Sequence, residues 1–240
     1  MILPGLVGFY WMGLRKLGGA PRWRIWCFGT AIAMLLVVSV TPLHTLAVER
    51  LLVVHLLQNV VLAEWAPLLV VLGLTPAIAA WLADLPGGRT LTHPLVAMPL
   101  WLVNYFLWHL PPVYDAALRS PHGLLHLEHA LYLATGVLFW WPVVHDVPRR
   151  VSSGARAAYV FAAFVLAGPI GLVLALVPDP VYEFYEEAPR TWGLTALEDQ
   201  QLAGILMSFE QSIVFFAVFA YWVRRFLIEQ DEEDEAPAAV

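Results

Sequence analysis

Cysteine is nearly absent from this chain of 240 residues: Cys27 is alone. One thiol excludes a disulfide framework and any metal site built on paired cysteines. Charge is also scarce. Thirteen Lys+Arg and nineteen Asp+Glu make 13% of the residues, too few to cover the surface of a water-soluble globule of this length. The net charge of −6 describes one end, because Glu229, Asp231, Glu232, Glu233, Asp234 and Glu235 account for it. Without those six acids the chain is neutral, so it has no basic footprint for nucleic acid. Signals of a cleaved leader are missing as well, since the first apolar run, 2–14, has neither a cationic start nor a small-residue cleavage site.

Apolar residues fill the space that charge leaves. They make 60% of the chain, with a mean hydropathy of +0.70. Runs of about 20 apolar residues cross roughly 30 Å of hydrocarbon, and six such runs fall near 25–43, 51–73, 94–110, 124–144, 156–178 and 200–223. The run 2–14 is a short seventh. Prolines such as Pro42, Pro76, Pro94, Pro111, Pro148 and Pro178 gather near the proposed ends, where helices stop. The expected fold is therefore all-α: an integral membrane bundle of about seven transmembrane helices in one domain, 1–226. Residues 227–240 are expected to form an acidic, disordered cytoplasmic tail.

Cationic residues orient the bundle, because loops rich in them stay in the cytoplasm. Arg15, Lys16, Arg22, Arg24, Arg89, Arg149, Arg150, Arg156, Arg224 and Arg225 fall on one side, and only Arg50, Arg119 and Arg190 on the other. That split places the N-terminus outside and the C-terminus in the cytoplasm. Six of the eight histidines then lie toward the outer face: His44, His55, His109, His122, His126 and His129. His122 and His126 are four apart, and His126 and His129 three apart, so all three share a face if their helix begins early enough. Imidazoles inside an apolar span are costly without partners, which marks His55, His126 and His129 as a candidate site. Neutral imidazole binds Cu, Zn, Fe or Ni, and without a thiolate nearby the set suits Cu(II) or Zn better than Cu(I). His93 and His44 read as helix caps. Most tryptophans fall near span ends, as an aromatic belt would.

Three carboxylates also stand out. Glu64 lies roughly 20 Å along its helix and Glu210 roughly 16 Å along the last one, so the two can meet near mid-membrane. There they read as an ion or proton relay, or as a protonated structural pair. Glu128 adjoins His129 and can orient an imidazole as a carboxylate acceptor.

Several strings occur together: His55-Leu56-Leu57-Gln58 followed by Ala66-Pro67-Leu68-Leu69-Val70-Val71-Leu72-Gly73, Trp108-His109-Leu110-Pro111-Pro112-Val113-Tyr114-Asp115, His126-Leu127-Glu128-His129 leading into Phe139-Trp140-Trp141-Pro142, and Asp199-Gln200-Gln201-Leu202-Ala203-Gly204. In this order they resemble the seven-helix CtaG-type cytochrome c oxidase assembly factors over nearly the whole chain. The resemblance implies a multi-pass protein of a bacterial inner (plasma) membrane, not an enzyme. Its partners would be cytochrome c oxidase subunits, and its cargo copper for their metal centres. It matches His55, His126, His129 and His109 to family histidines, and with the spacing above the expected metal ligands are His55, His126 and His129, with His109 and His122 as access or alternative ligands. Asn59, Glu128, Asp199 and Gln200 would be the supporting polar groups. Asn59 departs from the family pattern, where a second histidine stands four residues after the first. Two other functions fit the same residues: a haem b electron-transfer protein with His55 and His126 or His129 as axial ligands, and an ion or metal transporter working through Glu64 and Glu210.

Overall fold

A computed structural model describes residues 2–235, and among them every regular element is a helix. The first four helices are α1 (Ile2–Leu17), α2 (Arg22–Val40), α3 (Pro42–Glu49) and α4 (Leu52–Val60). A π-helical turn, Val61–Trp65, joins α4 to α5 (Ala66–Gly73). The short helices α6 (Pro76–Ala83) and α7 (Gly88–Leu91) lead to α8 (Pro94–His109), α9 (Pro111–Leu118) and α10 (Leu124–Val144). The chain continues through α11 (Ser153–Ala167), α12 (Pro169–Leu176), the small α13 (Glu183–Glu187) and the long α14 (Ala196–Glu235).

Among the described residues, five helical stretches are long and apolar enough to cross a membrane: Arg22–Val40, Leu52–Gly73, Leu124–Val144, Ser153–Leu176 and Ala196–Asp234. At 1.5 Å per residue the 16-residue helices α1 and α8 reach only about 24 Å, short of the hydrocarbon thickness. Apolar side chains face outward in a way no water-soluble fold tolerates. Leu95, Leu176, Phe209 and Phe216 are each two-thirds or more exposed. The acidic stretch expected as a tail from 227 is helical as far as Glu235, while its last part, 236–240, lies outside the described residues.

The tryptophans divide into two groups. Trp23, Trp26, Trp81 and Trp192 are exposed, whereas Trp101, Trp108, Trp140 and Trp141 are buried core. The belt expectation therefore fails for the second group. A large apolar side chain suits lipid and protein interior equally, so sequence position alone does not separate the two.

The π turn has a chemical cause. Pro67 has no N–H to return to the Ala63 carbonyl, and its ring crowds that carbonyl, so the helix widens by one residue. The turn is met by α10. Trp140 Nε1 donates to Glu64 O at 3.0 Å, and Gly136 packs against Ala63 O so closely that a Cβ would stand 2.3 Å from it. A second close crossing joins α12 to α14, where a Cβ on Gly204 would lie 2.5 Å from both Ala175 N and Gly171 O. Small residues at such crossings let membrane helices approach backbone to backbone.

Asp199 ties α14 to the start of α4. Leu51 occupies the cap position of α4 without a capping side chain. Asp199 on α14 takes over: Oδ2 accepts from Leu52 N at 2.7 Å and Oδ1 from Val53 N at 3.0 Å. A carboxylate at a helix N-terminus satisfies orphan amides and suits the helix dipole. Asp199→Ala is expected to lower stability by about 1–3 kcal/mol, with Asp199→Asn losing less. Unfolding in detergent, followed by helical circular dichroism, measures both. Gln200 is similarly structural, with Oε1 accepting from Val181 N at 2.6 Å and Nε2 donating to Asp179 O at 3.3 Å.

Candidate metal centre

His55 lies in the first turn of α4, and Glu128 and His129 in the second turn of α10, so all three sit near one end of the bundle. One ligand-capable atom from each residue falls within 4.8 Å of the other two. Bonds of about 2.0–2.1 Å place the donors of a tetrahedral site about 3.4 Å apart, so a rotamer-sized inward motion closes the set. The Nε2 atoms of His55 and His129 are both buried without a hydrogen-bond partner. Buried polar atoms without partners are uncommon in folded proteins, and two such imidazole nitrogens beside one carboxylate form a donor set.

The surroundings prepare those donors. Tyr185, on α13, donates its hydroxyl to Ala47 O at 2.5 Å, so its oxygen is left to accept from His55 Nδ1 at 2.8 Å. The proton of the His55 ring then rests on Nδ1, and Nε2 presents its lone pair. Tyr114 Oη, at 3.1 Å, shares the same Nδ1 proton as a second acceptor. Burial, and next the nearby Glu128, hold the Tyr185 phenol well above its usual pKa, so it keeps its proton at neutral pH. Arg190 fixes the loop that carries this tyrosine. Its guanidinium donates to the carbonyls of Tyr185, Glu186 and Ala188.

Asn59 lies one turn along α4 from His55 and donates from Nδ2 to Glu128 Oε1 at 3.0 Å. The residue that departs from the family pattern thus positions a carboxylate toward the two imidazoles. Glu128, expected to orient a ligand, stands where it can be one.

The other histidines are arranged around this group. α10 begins at Leu124, so His122 lies in the turn before it rather than on its face. His122 and His126 are exposed and stack with centroids 6.0 Å apart, and neither joins the three donors. His44 is half-buried, 6.2 Å from His129 between ring centroids. Gln58 Nε2 donates to both Val38 O and His44 Nδ1, which puts the His44 proton on Nε2 and makes that ring a neighbour rather than a ligand. Burial, then the charge of His126, lower the His44 pKa. His109 is buried deeper, with Nδ1 donating to Tyr105 O at 2.8 Å. It lines a small cavity with Asn59, Glu64, Tyr105 and Tyr132 and does not reach the donor group. His93 caps α8, its Nδ1 accepting from Leu95 N at 3.1 Å.

Glu64 and Glu210 are held reciprocally. Gln211 Nε2 donates to Glu64 Oε1 at 3.0 Å, while Trp65 Nε1 donates to Glu210 Oε1. Each carboxyl is buried and keeps one oxygen without a partner. Asp199 and Gln200 touch none of the three donors and act on the fold, as described above. Tyr185, Tyr114, His44 and Arg190 were not legible as site residues. They come from short helices and loops with no periodic pattern, and only the tertiary fold brings them to this end of the bundle.

Fold and site define a class: a multi-helix membrane protein with two imidazoles and one carboxylate converging near one end of the bundle, with no thiolate among them. Within that class, residues 8–228 match the family described as cytochrome c oxidase caa3 assembly factor, and the chain belongs to it. It is also 25% identical over 199 residues to the uncharacterized proteins Mb0105 of Mycobacterium bovis and MT0111 of Mycobacterium tuberculosis. Those alignments cover 72% of this chain and 30% of each relative, so the chain spans under a third of their length. No solved structure matches.

Proposed function

We propose that this assembly factor binds one divalent copper ion through His55, Glu128 and His129 and passes it to a subunit of the oxidase. The reading is carried by one observation: the partnerless Nε2 atoms of His55 and His129 converge on a carboxylate anchored by Asn59. Imidazole and carboxylate donors suit Cu(II), which outcompetes other first-row divalent metals at such sites. Copper is cargo here, not a catalytic group, and the protein turns nothing over. Exposed His122 and His126, then half-buried His129, then buried His55 form a graded route by which ligand exchange moves the ion inward or out.

The route lies outside the cell if seven helices cross, with α1 and α8 as the short crossings and the arginine-rich ends in the cytoplasm. Residues 1–226 act as one membrane domain, and 227–240 as an appendage. The haem alternative leaves Glu128, which stands with the two imidazoles, without a role.

Metal analysis of the purified protein after Cu(II) loading and desalting is the test. One equivalent of copper is expected. A protein that retains none overturns the reading. The relay alternative through Glu64 and Glu210 separates from it, since a Glu64→Gln, Glu210→Gln variant keeps its copper if the metal reading holds.

A further inference from the structure

The end of the bundle opposite the imidazoles carries a second built cavity. From His129 helix α10 continues for about 15 residues, or about 23 Å, before the chain turns at His145 and Asp146. There the N-terminus of α11 and the last membrane turns of α14 enclose an open cavity of about 550 Å³. Arg150, Arg156 and Arg225 line it, together with the hydroxyl side chains of Ser152 and Ser153.

Arg156 is its fixed element. It is 5% exposed, its guanidinium lies over the Trp222 ring at 4.5 Å, and it donates to His145 O at 3.2 Å and to Asp146. Its Nε is buried without a partner. The second acid on the wall, Glu229, accepts from Ser153 Oγ at 2.8 Å and pairs with Arg225 at 3.5 Å. Two carboxylates thus answer two guanidiniums. Arg150 is exposed and has no ion pair among the described residues, so the cavity keeps one uncompensated positive charge. The first-turn amides of α11, a 15-residue helix, add the positive end of its dipole, and Ser152 Oγ engages only Ala155 N.

Depth indicates what such a cavity meets. Tyr221 and Trp222 line its flank, and these residue types settle at headgroup level. We propose that the cavity binds a phosphate group, held between Arg150 and Arg225 at the α11 N-terminus, with Arg156 as a preset floor. The phosphate can belong to an anionic phospholipid or to a free phosphate ester. Basic pockets between membrane helices take headgroups by this chemistry. The proposal is independent of the copper reading, which concerns the opposite end of α10.

The test uses the full-length protein in dodecyl maltoside, a detergent without phosphate. Phosphatidylglycerol, phosphatidylcholine and inorganic phosphate are titrated separately, with retained lipid read by native mass spectrometry and stability by thermal melting. Wild type is expected to retain phosphatidylglycerol in preference to phosphatidylcholine. Arg150→Gln should weaken that retention about fivefold, the effect of one cation at the membrane surface, and Arg150→Lys should restore most of it. Arg150 is chosen because it is exposed and holds no fold contact, unlike Arg156. A rise in melting temperature with inorganic phosphate alone, lost in Arg150→Gln, assigns the site to a free phosphate ester; a response to phosphatidylglycerol only assigns it to lipid. Equal retention of both lipids, no response to phosphate and no effect of Arg150→Gln together overturn the proposal.

Discussion

Replacing His55 and His129 together by alanine is expected to abolish tight Cu(II) binding, while replacing His122 and His126 together leaves it intact. The two double variants remove the same number of imidazoles from the same end of the protein, so counting histidines predicts equal losses. Geometry predicts otherwise. The first pair supplies both partnerless nitrogens of the donor group, and only its carboxylate remains without them. A lone carboxylate is a hard oxygen donor with little hold on copper. The second pair is exposed and stacked outside the donor group, so its loss slows exchange without lowering equilibrium affinity. Copper stoichiometry after dialysis against a weak chelator reads the difference. The opposite pattern, with metal lost from the His122, His126 variant alone, would move the site to the surface pair. Asn59→Leu adds a graded check. Removing the amide that orients Glu128 should cost about 10–100-fold in affinity, the usual effect of losing a partner behind a ligand.

That experiment also marks where sequence and fold part company. The apolar runs near 51–73 and 124–144 anticipate Leu52–Gly73 and Leu124–Val144 within a residue, because burial in lipid imposes a length that composition displays directly. Which side of a membrane helix meets protein is a different question. His126 and His129 differ by only about 60° around α10, and Glu128 lies about 100° from His129. Periodicity therefore groups the two histidines as readily as it groups His129 with Glu128. The choice is made by the tertiary fold, in which His55 and Asn59 on α4 meet Glu128 on α10. In a soluble helix the polar face would have shown that choice, but here lipid and protein are equally apolar. The same degeneracy put Trp101 and Trp140 in a lipid belt, although both are core. Tyr185 was hidden for another reason. Its role depends on a loop held by Arg190, and no local pattern announces a tertiary hydrogen bond.

The packing of α10 on the π turn and α5 in turn makes Gly136 the most sensitive small residue in the site's support. Gly136→Ala is expected to destabilise the bundle by about 1–3 kcal/mol, even though alanine is the better helix former by about 1 kcal/mol. The added methyl would stand 2.3 Å from Ala63 O and 2.6 Å from Pro67 Cγ. Neither atom is the tip of a flexible side chain. One is a backbone carbonyl and the other a ring whose φ is fixed, so α10 itself must move away. Glu128 and His129 ride on the same helix, about 11–12 Å along its axis. Tilting α10 off the π turn therefore carries two of the three donors away from His55. A loss of copper affinity of at least about tenfold should accompany the fall in melting temperature, as expected when supporting structure shifts ligands. Gly29→Ala is the matched control. Gly29 lies inside α2, with nothing within 4 Å of the new methyl, and should stabilise by about 0.5–1 kcal/mol without touching copper. If Gly136→Ala melts and binds like Gly29→Ala, the close approach of α10 to the π turn is not what holds the metal centre together.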